Sequence, residues 1–474
     1  MGDILRCDVA VIGAGTAGLA AERAARQNGA STHLIDPEFN GTLCANTGCM
    51  PSKLLIAAAK EARRIRQAGA FGIEVDGMRI DGAAVMRRVR SERDRFARLT
   101  RESFDDLPDG VMIRARAKFV GPNRLELDDG RSVEAKAIVI ATGSAPAMPD
   151  PFAGLGDRVV TNETVFEMDD LPASMAVIGS GSIGLEMAQA FAHLGVEVTL
   201  FDRETQLGKV RCAKVHSALK EIVERDMSIH LGVEVTPERA DEGVRVCWSG
   251  KDPTSDSGEA NFELLLAALG RPPQLGGLCL EKAGIECDDH GVPCHNRETM
   301  RCGESPIFLA GDVAADLPLL HEASHDGAIA GRNAAALPVT IETERHVPFS
   351  IIFTDPPLAM IGDAEAAGAI TGTADYSDQG RARVEARNEG VLTLYACAPE
   401  GTLIGADLIA PGGDHLAHIL AWAIERGTTA SELLEMPFYH PTLEEGLKSA
   451  LRTICAATPI SLPQDQDAGT PPGA

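Results

Sequence analysis

The stretch Cys7-Asp8-Val9-Ala10-Val11-Ile12-Gly13-Ala14-Gly15-Thr16-Ala17-Gly18 decides the fold. Its β-branched apolar run reads as a buried strand that enters G-x-G-x-x-G and passes straight into a helix. That helix, over TAGLAAERAARQNG, is amphipathic and closes at Gly29, and STHLID behind it is a second strand ending on Asp36. In such a unit the first glycine permits a tight turn and the second lets the backbone approach a pyrophosphate. The third lets the helix pack closely on the strand. The helix N-terminus favours phosphate charge, and Asp36 stands where ribose hydroxyls would donate to it. Gly13, Gly15, Gly18 and Asp36 are therefore candidate cofactor-binding residues.

The same unit recurs about 165 residues downstream. SMAVIGSGSIGLEMAQAFAHLGVEVTLFD again reads strand, glycine turn, helix closed by a glycine, and strand. Gly179, Gly181 and Gly184 repeat the fingerprint, and Asp202 takes the acidic position. A carboxylate there favours the ribose of NAD and repels the 2′-phosphate of NADP, although the neighbouring Arg203 pulls the other way. Two copies so far apart imply two dinucleotide-binding domains, and two such sites suggest redox cofactors that exchange a hydride.

Outward from these units the chain predicts a helix from about Pro51 to Arg66 and a strongly charged one from about Asp81 to Ser103. VMIRARAKFV, NRLELDDG and RSVEAKAIVIATGS follow as strands, and the proline-rich APAMPDPFAG marks a boundary near residue 150. GVRVCWSG and ANFELLLAALG read as strands, SPIFLAGD as a buried strand, and LLHEASHDGAIAGRNAAA as a helix. From Val347 the texture changes to alternating strands and two helices, HLAHILAWAIERG and TLEEGLKSALRTICAA. The expected fold is α/β: two Rossmann-like domains and a C-terminal α+β domain. The first nucleotide domain takes residues 1–150 and 271–346, the second 151–270, and the C-terminal domain 347–458. PISLPQDQDAGTPPGA, residues 459–474, has the composition of a flexible tail.

Composition narrows the function. The 474 residues carry 44 Lys and Arg against 69 Asp and Glu, a formal charge of −25. That surplus of acid argues against nucleic-acid or anionic-membrane partners. No apolar run approaches the length of a spanning helix, and MGDILRCDVAVIGAG lacks the features of a secretory signal, so a cytoplasmic chain is expected. Eleven cysteines, an odd number, do not make a secreted disulfide framework. Nine of them, including Cys287, Cys294 and Cys302 in a loose sulfur-rich stretch, read as packing.

Cys44 and Cys49 differ. GTLCANTGCMPSKLLIAAAKEARRIR sets them at the start of a predicted helix, a position that lowers a thiol pKa. Two unrelated thiols in a turn and half a zinc site are the alternatives. Zinc is disfavoured because no second Cys/His pair lies nearby at ligand spacing. Two thiols this close, behind a nucleotide fold, favour a redox-active disulfide.

Gly41 with Cys44-Ala45-Asn46-Thr47-Gly48-Cys49-Met50-Pro51-Ser52-Lys53 resembles the signature of the flavin-dependent pyridine-nucleotide disulfide oxidoreductases. The resemblance extends over nearly the whole chain, through both fingerprints, Ala141-Thr142-Gly143-Ser144, Ala268-Leu269-Gly270-Arg271-Pro272, Ala310-Gly311-Asp312, and His440-Pro441-Thr442 with Glu445. It implies FAD at the first fingerprint, with Asp312 reaching the flavin's ribityl and phosphate region, and a nicotinamide nucleotide at the second. Thr142, Gly143, Gly311, Gly270 and Arg271, in the other shared motifs, join the cofactor-binding candidates. By the same resemblance Cys49 is the thiol beside the flavin and Cys44 meets substrate. Lys53 lies near the flavin and pairs with Glu186. His440, oriented by Glu445, is the acid/base supplied by the other subunit of a homodimer. A His titrating near neutrality suits that proton transfer, and a carboxylate fixes its tautomer.

Departures from the family pattern bear on substrate. Thr42-Leu43 precede the first cysteine where Gly-Thr is usual, and Phe438-Tyr439 stand where lipoamide dehydrogenases carry a second His. Mercuric reductases end in a vicinal Cys-Cys pair, whereas this chain has Cys455 alone near its end. Asp202 argues against the NADPH of glutathione reductase. The resemblance therefore points to the lipoamide dehydrogenase branch, with a lipoyl-carrying protein as partner. The alternatives are a related NAD(P)H-dependent disulfide, metal or quinone reductase, and a non-catalytic flavoprotein subunit. No metal site is expected.

Overall fold

The computed structural model describes residues 3–250, 256–364 and 368–458; the expected tail lies outside the described residues. The chain divides into two compact units. One comprises Met1–Leu54, Arg87–Ala147 and Leu269–Arg345, and the other Leu55–Met86, Met148–Ala268 and His346–Ala474.

In the first unit, Met112–Arg114, Thr32–Asp36, Ile4–Ile12, Ser132–Ile140 and Ile307–Leu309 lie side by side and parallel. Val9, Ala10, Val11, Ile138, Val139 and Ile140 are buried to the last few per cent, as continuous apolar strands covered on both faces must be. An antiparallel ribbon, Ala117–Gly121 with Arg124–Leu127, continues the sheet. VMIRARAKFV is thus two strands and not one. Ala115 N–H bonds back to Asp36 O while Arg116 N–H turns to the Asp128 carboxylate at 3.0 Å, and the chain changes ribbon between them.

The helix Thr16–Gln27 of the first fingerprint packs along Leu320–Ala336. Gly327 and Gly331 make that approach possible. A Cβ at Gly327 would stand 2.2 Å from Ala17 O and one at Gly331 2.1 Å from Ala21 O, so the two backbones touch directly.

In the second unit five parallel strands run in the order Ser228–Leu231, Glu197–Asp202, Ser174–Ile178, Leu264–Ala267, Val159–Val160. Beside them lies an antiparallel sheet of Val233–Ala240, Gly243–Gly250 and Ser257–Phe262. ANFELLLAALG therefore divides after Phe262 between two sheets. The C-terminal part is a five-stranded antiparallel sheet whose apolar face, with Leu392, Leu394, Ala406 and Leu408, packs against Gly413–Glu425 and Leu447–Ala457. The last helix begins five residues later than Thr442, after one 3₁₀ turn at Glu444–Gly446. The delay has a cause in the side chains, because the Glu445 carboxylate takes the Thr442 N–H at 3.0 Å. A short helix, Ala430–Leu434, was not expected, although its capping box, Thr429 with Glu432, is a sequence signal.

Candidate active site

The two glycine loops are near copies. Gly13 and Gly179 have φ of +104° and +105°, and a Cβ on either would lie 2.3 Å from the carbonyl that ends the adjacent strand, Ala141 O or Ala268 O. A Cβ at Gly18 or Gly184 would come within 1.8 Å of the oxygen of the first glycine. Gly15 and Gly181 have nothing within 4 Å of that position, so the space above them is open. Each is also the N-cap of its helix, without a side-chain cap. Uncapped N–H groups facing an open space are what a diphosphate needs, and both sites fit a dinucleotide.

The acids hold the loops. Asp36 accepts from Ala14 N–H at 3.0 Å and from Glu38 and Phe39 N–H at 2.9 and 2.8 Å. Asp202 accepts from the Ser180 N–H and hydroxyl, both at 2.6 Å, and from Glu204 N–H at 2.9 Å. Arg203 is mostly exposed and lies 3.4 Å from Glu204.

The loop after Ile140 gathers the remaining candidates of the first unit. Thr142 Oγ1 donates to Gln274 O at 2.6 Å, and Gly143 sits at φ +71° with open space beside it. Asp312 accepts from Ser144 Oγ at 2.8 Å, and Arg271 donates to Ser144 O at 2.7 Å and to Ser144 Oγ at 3.2 Å. Arg271, expected to touch cofactor, thus also braces the loop that meets Asp312, next to Gly270 at φ +102°. Ser144 ends the motif Ala141-Thr142-Gly143-Ser144, and a serine in a loop carries no sequence signal that would single it out.

Cys44 lies in the short helix Leu43–Asn46, capped by the Thr42 side chain, and Cys49 opens the helix Cys49–Gln67. Both are thiols in this structure, not a disulfide, and they are hydrogen-bonded to each other. The expected lowering at a helix start is not what Cys44 shows. Its bond to Cys49, then burial, push its thiol well above the usual range, and the Lys53 charge only partly opposes them. Cys44 therefore holds its proton through neutral pH. Lys53 Nζ donates to Ser52 Oγ at 3.3 Å.

In the second unit His440 Nδ1 lies 3.1 and 3.2 Å from the two oxygens of Glu445. The imidazole is exposed and the carboxylate buried, 66% against 7% accessible, so the acid is fixed and the ring presents its other nitrogen outward. Glu186 is buried and accepts from Phe353 N–H at 2.9 Å.

The packing role expected of nine cysteines holds for Cys7, Cys302 and Cys455, which are buried; burial pushes Cys7 and Cys302 up to about 12. It fails for Cys287, Cys294 and Cys397, which are exposed, and for Cys212, which caps a helix. Burial raises the Cys212 thiol, but its hydrogen bonding with Thr393 and Tyr395 and with the backbone of Val215 and Lys214 brings it below the usual value.

Residues 7–327 match the family described as pyridine nucleotide-disulphide oxidoreductase, and residues 348–451 its dimerisation domain. A dihydrolipoyl dehydrogenase of Bacillus subtilis is 31% identical over 461 residues, 94% of this chain and 97% of the relative. One of Haloferax volcanii is 30% identical over 470 residues, 95% and 97% of the two chains. A mercuric reductase of Staphylococcus aureus is 28% identical, over 94% of this chain and 82% of its own. Among solved structures, the HOCl-induced flavoprotein disulfide reductase RclA from Escherichia coli superposes with a TM-score of 0.80 at 22% identity, over 94% of this chain and 99% of its own. Among the described residues, no helix is long and apolar enough to cross a membrane.

Proposed function

Because this chain belongs to the pyridine nucleotide-disulphide oxidoreductases, flavoenzymes that use FAD and NAD(P), we propose that it is a dihydrolipoyl dehydrogenase. In this role it oxidises dihydrolipoamide to lipoamide with NAD. The observation that carries the proposal is the His440–Glu445 pair, in a chain whose full-length relatives at about 30% identity bear that name.

The reaction begins from the Cys44–Cys49 disulfide. One substrate thiol gives its proton to His440 Nε2, and its sulfur attacks Cys44 Sγ. The Cys44–Cys49 bond breaks and Cys49 leaves as a thiolate. The second substrate sulfur then attacks the first, closing the lipoamide ring and releasing Cys44. Two electrons have passed to the cysteine pair, one proton rests on His440, and the other stays with the pair, as the raised Cys44 thiol requires. When bound, FAD and the nicotinamide nucleotide carry the two electrons onward as a hydride. Glu445 holds Nδ1–H so that Nε2 faces substrate as the acceptor.

We assign His440 to the cysteine pair of the other subunit of a homodimer, Lys53 and Glu186 to a charge pair beside the flavin, and Asp202 to NAD rather than NADP. A lipoyl-carrying protein is the proposed partner, and the cytoplasm the proposed compartment. Cys455 is buried against Ser431 at 3.6 Å, which argues against a C-terminal metal-delivering thiol and so against mercury reduction. The deciding experiment is steady-state turnover of dihydrolipoamide with NAD, set beside NADH- and NADPH-driven reduction of a disulfide panel. Turnover in the first assay supports the reading, and its absence in purified flavoprotein sinks it.

A further inference from the structure

The helix Leu320–Ala336 carries Glu322 and Asp326 one turn apart, both buried. Two carboxylates in that relation repel, and neither is stable out of water without a partner. Arg345 supplies it. Its Nη2 donates to Glu322 Oε2 at 2.7 Å and to Asp326 Oδ1 at 2.6 Å. The segment that brings Arg345 there is itself strapped to the helix. Asn333, fully buried, donates to Thr299 O and Ile341 O at 3.0 Å each and accepts from Ile341 N–H at 2.8 Å. Arg332 donates to Thr343 Oγ1 at 2.6 Å.

The second oxygen of Asp326 faces the cofactor turn and accepts from Gly311 N–H at 3.2 Å. Gly311 has little freedom of its own: at φ +79°, a Cβ there would lie 2.7 Å from the Ala17 Cβ. The next residue is Asp312, already bonded to Ser144 and through it to Arg271. One line of contacts thus runs from Arg345 through Asp326, Gly311 and Asp312 to Ser144. A buried ionic trio is a poor source of net stability, because apolar residues of equal volume often serve as well. What it supplies is geometry.

We propose that Asp326, held by Arg345, is a positioning residue that sets the Gly311–Asp312 turn for FAD. The proposal rests on the reading that Asp312 meets the flavin nucleotide. It makes the N–H bond at Gly311 the means of action, and Arg345 the group that keeps the accepting oxygen aimed.

The test uses the full chain, stripped of flavin and reconstituted with FAD. FAD affinity is read from flavin fluorescence, the bound state from visible circular dichroism, and folding from the melting temperature. Asp326→Asn keeps an oxygen for Gly311 N–H and binds FAD within about twofold of the parent. Asp326→Ala removes it and weakens FAD at least tenfold, with a changed visible dichroism of whatever flavin remains. Arg345→Gln, which frees both carboxylates, weakens FAD by a comparable factor and serves alone should Asp326→Ala not fold. The proposal is overturned if the folded Ala or Gln variant binds FAD within twofold of the parent. Equal weakening by Asp326→Asn and Asp326→Ala overturns it as well. Asp312→Asn is the control: unchanged FAD binding there sinks the assignment of Asp312 to the flavin, whatever the other variants do.

Discussion

Exchanging Glu445 for Gln tests the proton acceptor with the smallest change in shape. Glu445 now accepts from both sides, from the His440 ring at 3.1 and 3.2 Å and from Thr442 N–H at 3.0 Å. A Gln keeps its oxygen on the Thr442 N–H, an oxygen that also stands 3.1 Å from Nδ1, and sets an NH2 at the 3.2 Å contact. That NH2 favours the tautomer in which Nδ1 accepts and the ring proton sits on Nε2, where the outward nitrogen no longer takes a proton from substrate. Positioned acid–base catalysis contributes about 10²–10⁴-fold. Because a minor tautomer still works, the lower end applies: the rate of cysteine-pair reduction by dihydrolipoamide falls about 100-fold, or ~2.7 kcal/mol of barrier. Stability hardly changes, because the imidazole is largely exposed and the buried oxygen keeps its N–H partner. Stopped-flow reduction of the flavoprotein by dihydrolipoamide measures the rate, and thermal melting checks the fold. A Glu445→Gln protein that reduces within threefold of the parent would refute the tautomer argument. So would a loss of rate matched by a loss of fold.

Three further outcomes follow from the geometry. Gly181→Ala leaves folding intact but raises the NADH dissociation constant at least tenfold by filling the space above the loop. Gly184→Ala, whose Cβ would meet Gly179 O at 1.8 Å, lowers the melting temperature as well; calorimetry with NADH titration separates the two. Cys44→Ser abolishes dihydrolipoamide turnover while FAD absorbance and occupancy stay as in the parent, since the exchange sulfur is gone but the flavin site is untouched. Asp226 lies 2.9 Å from His193 Nε2; burial raises its carboxyl, but His193, Gln189 and Arg63 together hold it below the usual range. A depressed acid adds stability above its unfolded pKa of about 3.9 and loses it as the pH falls further. Asp226→Asn is therefore less stable than the parent at pH 7, by about 1–2 kcal/mol, and the gap closes below pH ~4 in thermal or denaturant unfolding.

What the sequence made legible was whatever depends on local pattern. Gly13 to Gly18 and Gly179 to Gly184 announce their geometry because each glycine answers a separate steric demand, and the Cβ distances show the same demands in both loops. His440 and Glu445 were legible as a pair five residues apart, but not the consequence that Glu445 delays the following helix by taking Thr442 N–H. The Cys44 thiol departs from the sequence expectation for a related reason. A helix start speaks for the thiolate, but a second thiol in contact outweighs it, and contact is not readable from spacing. Asp326 and Arg345 were invisible. They stand 19 residues apart, and only the fold turns Arg345 back onto the helix that carries Asp326.

The likeness of the two glycine loops has a consequence for how the protein tells its cofactors apart. With first-glycine φ values one degree apart and equal approaches to the strand-end carbonyls, the loops are interchangeable parts. A diphosphate on either meets the same surface, so the loops can grip but cannot choose. Choice falls to what is not repeated: Ala14 against Ser180, whose hydroxyl occupies a lone pair of Asp202, and Ser144 and Asp312 around the first loop alone. Grafting one loop into the other's place would leave each domain's preference standing. An attempt to redirect cofactor use must begin outside the motif by which such domains are recognised.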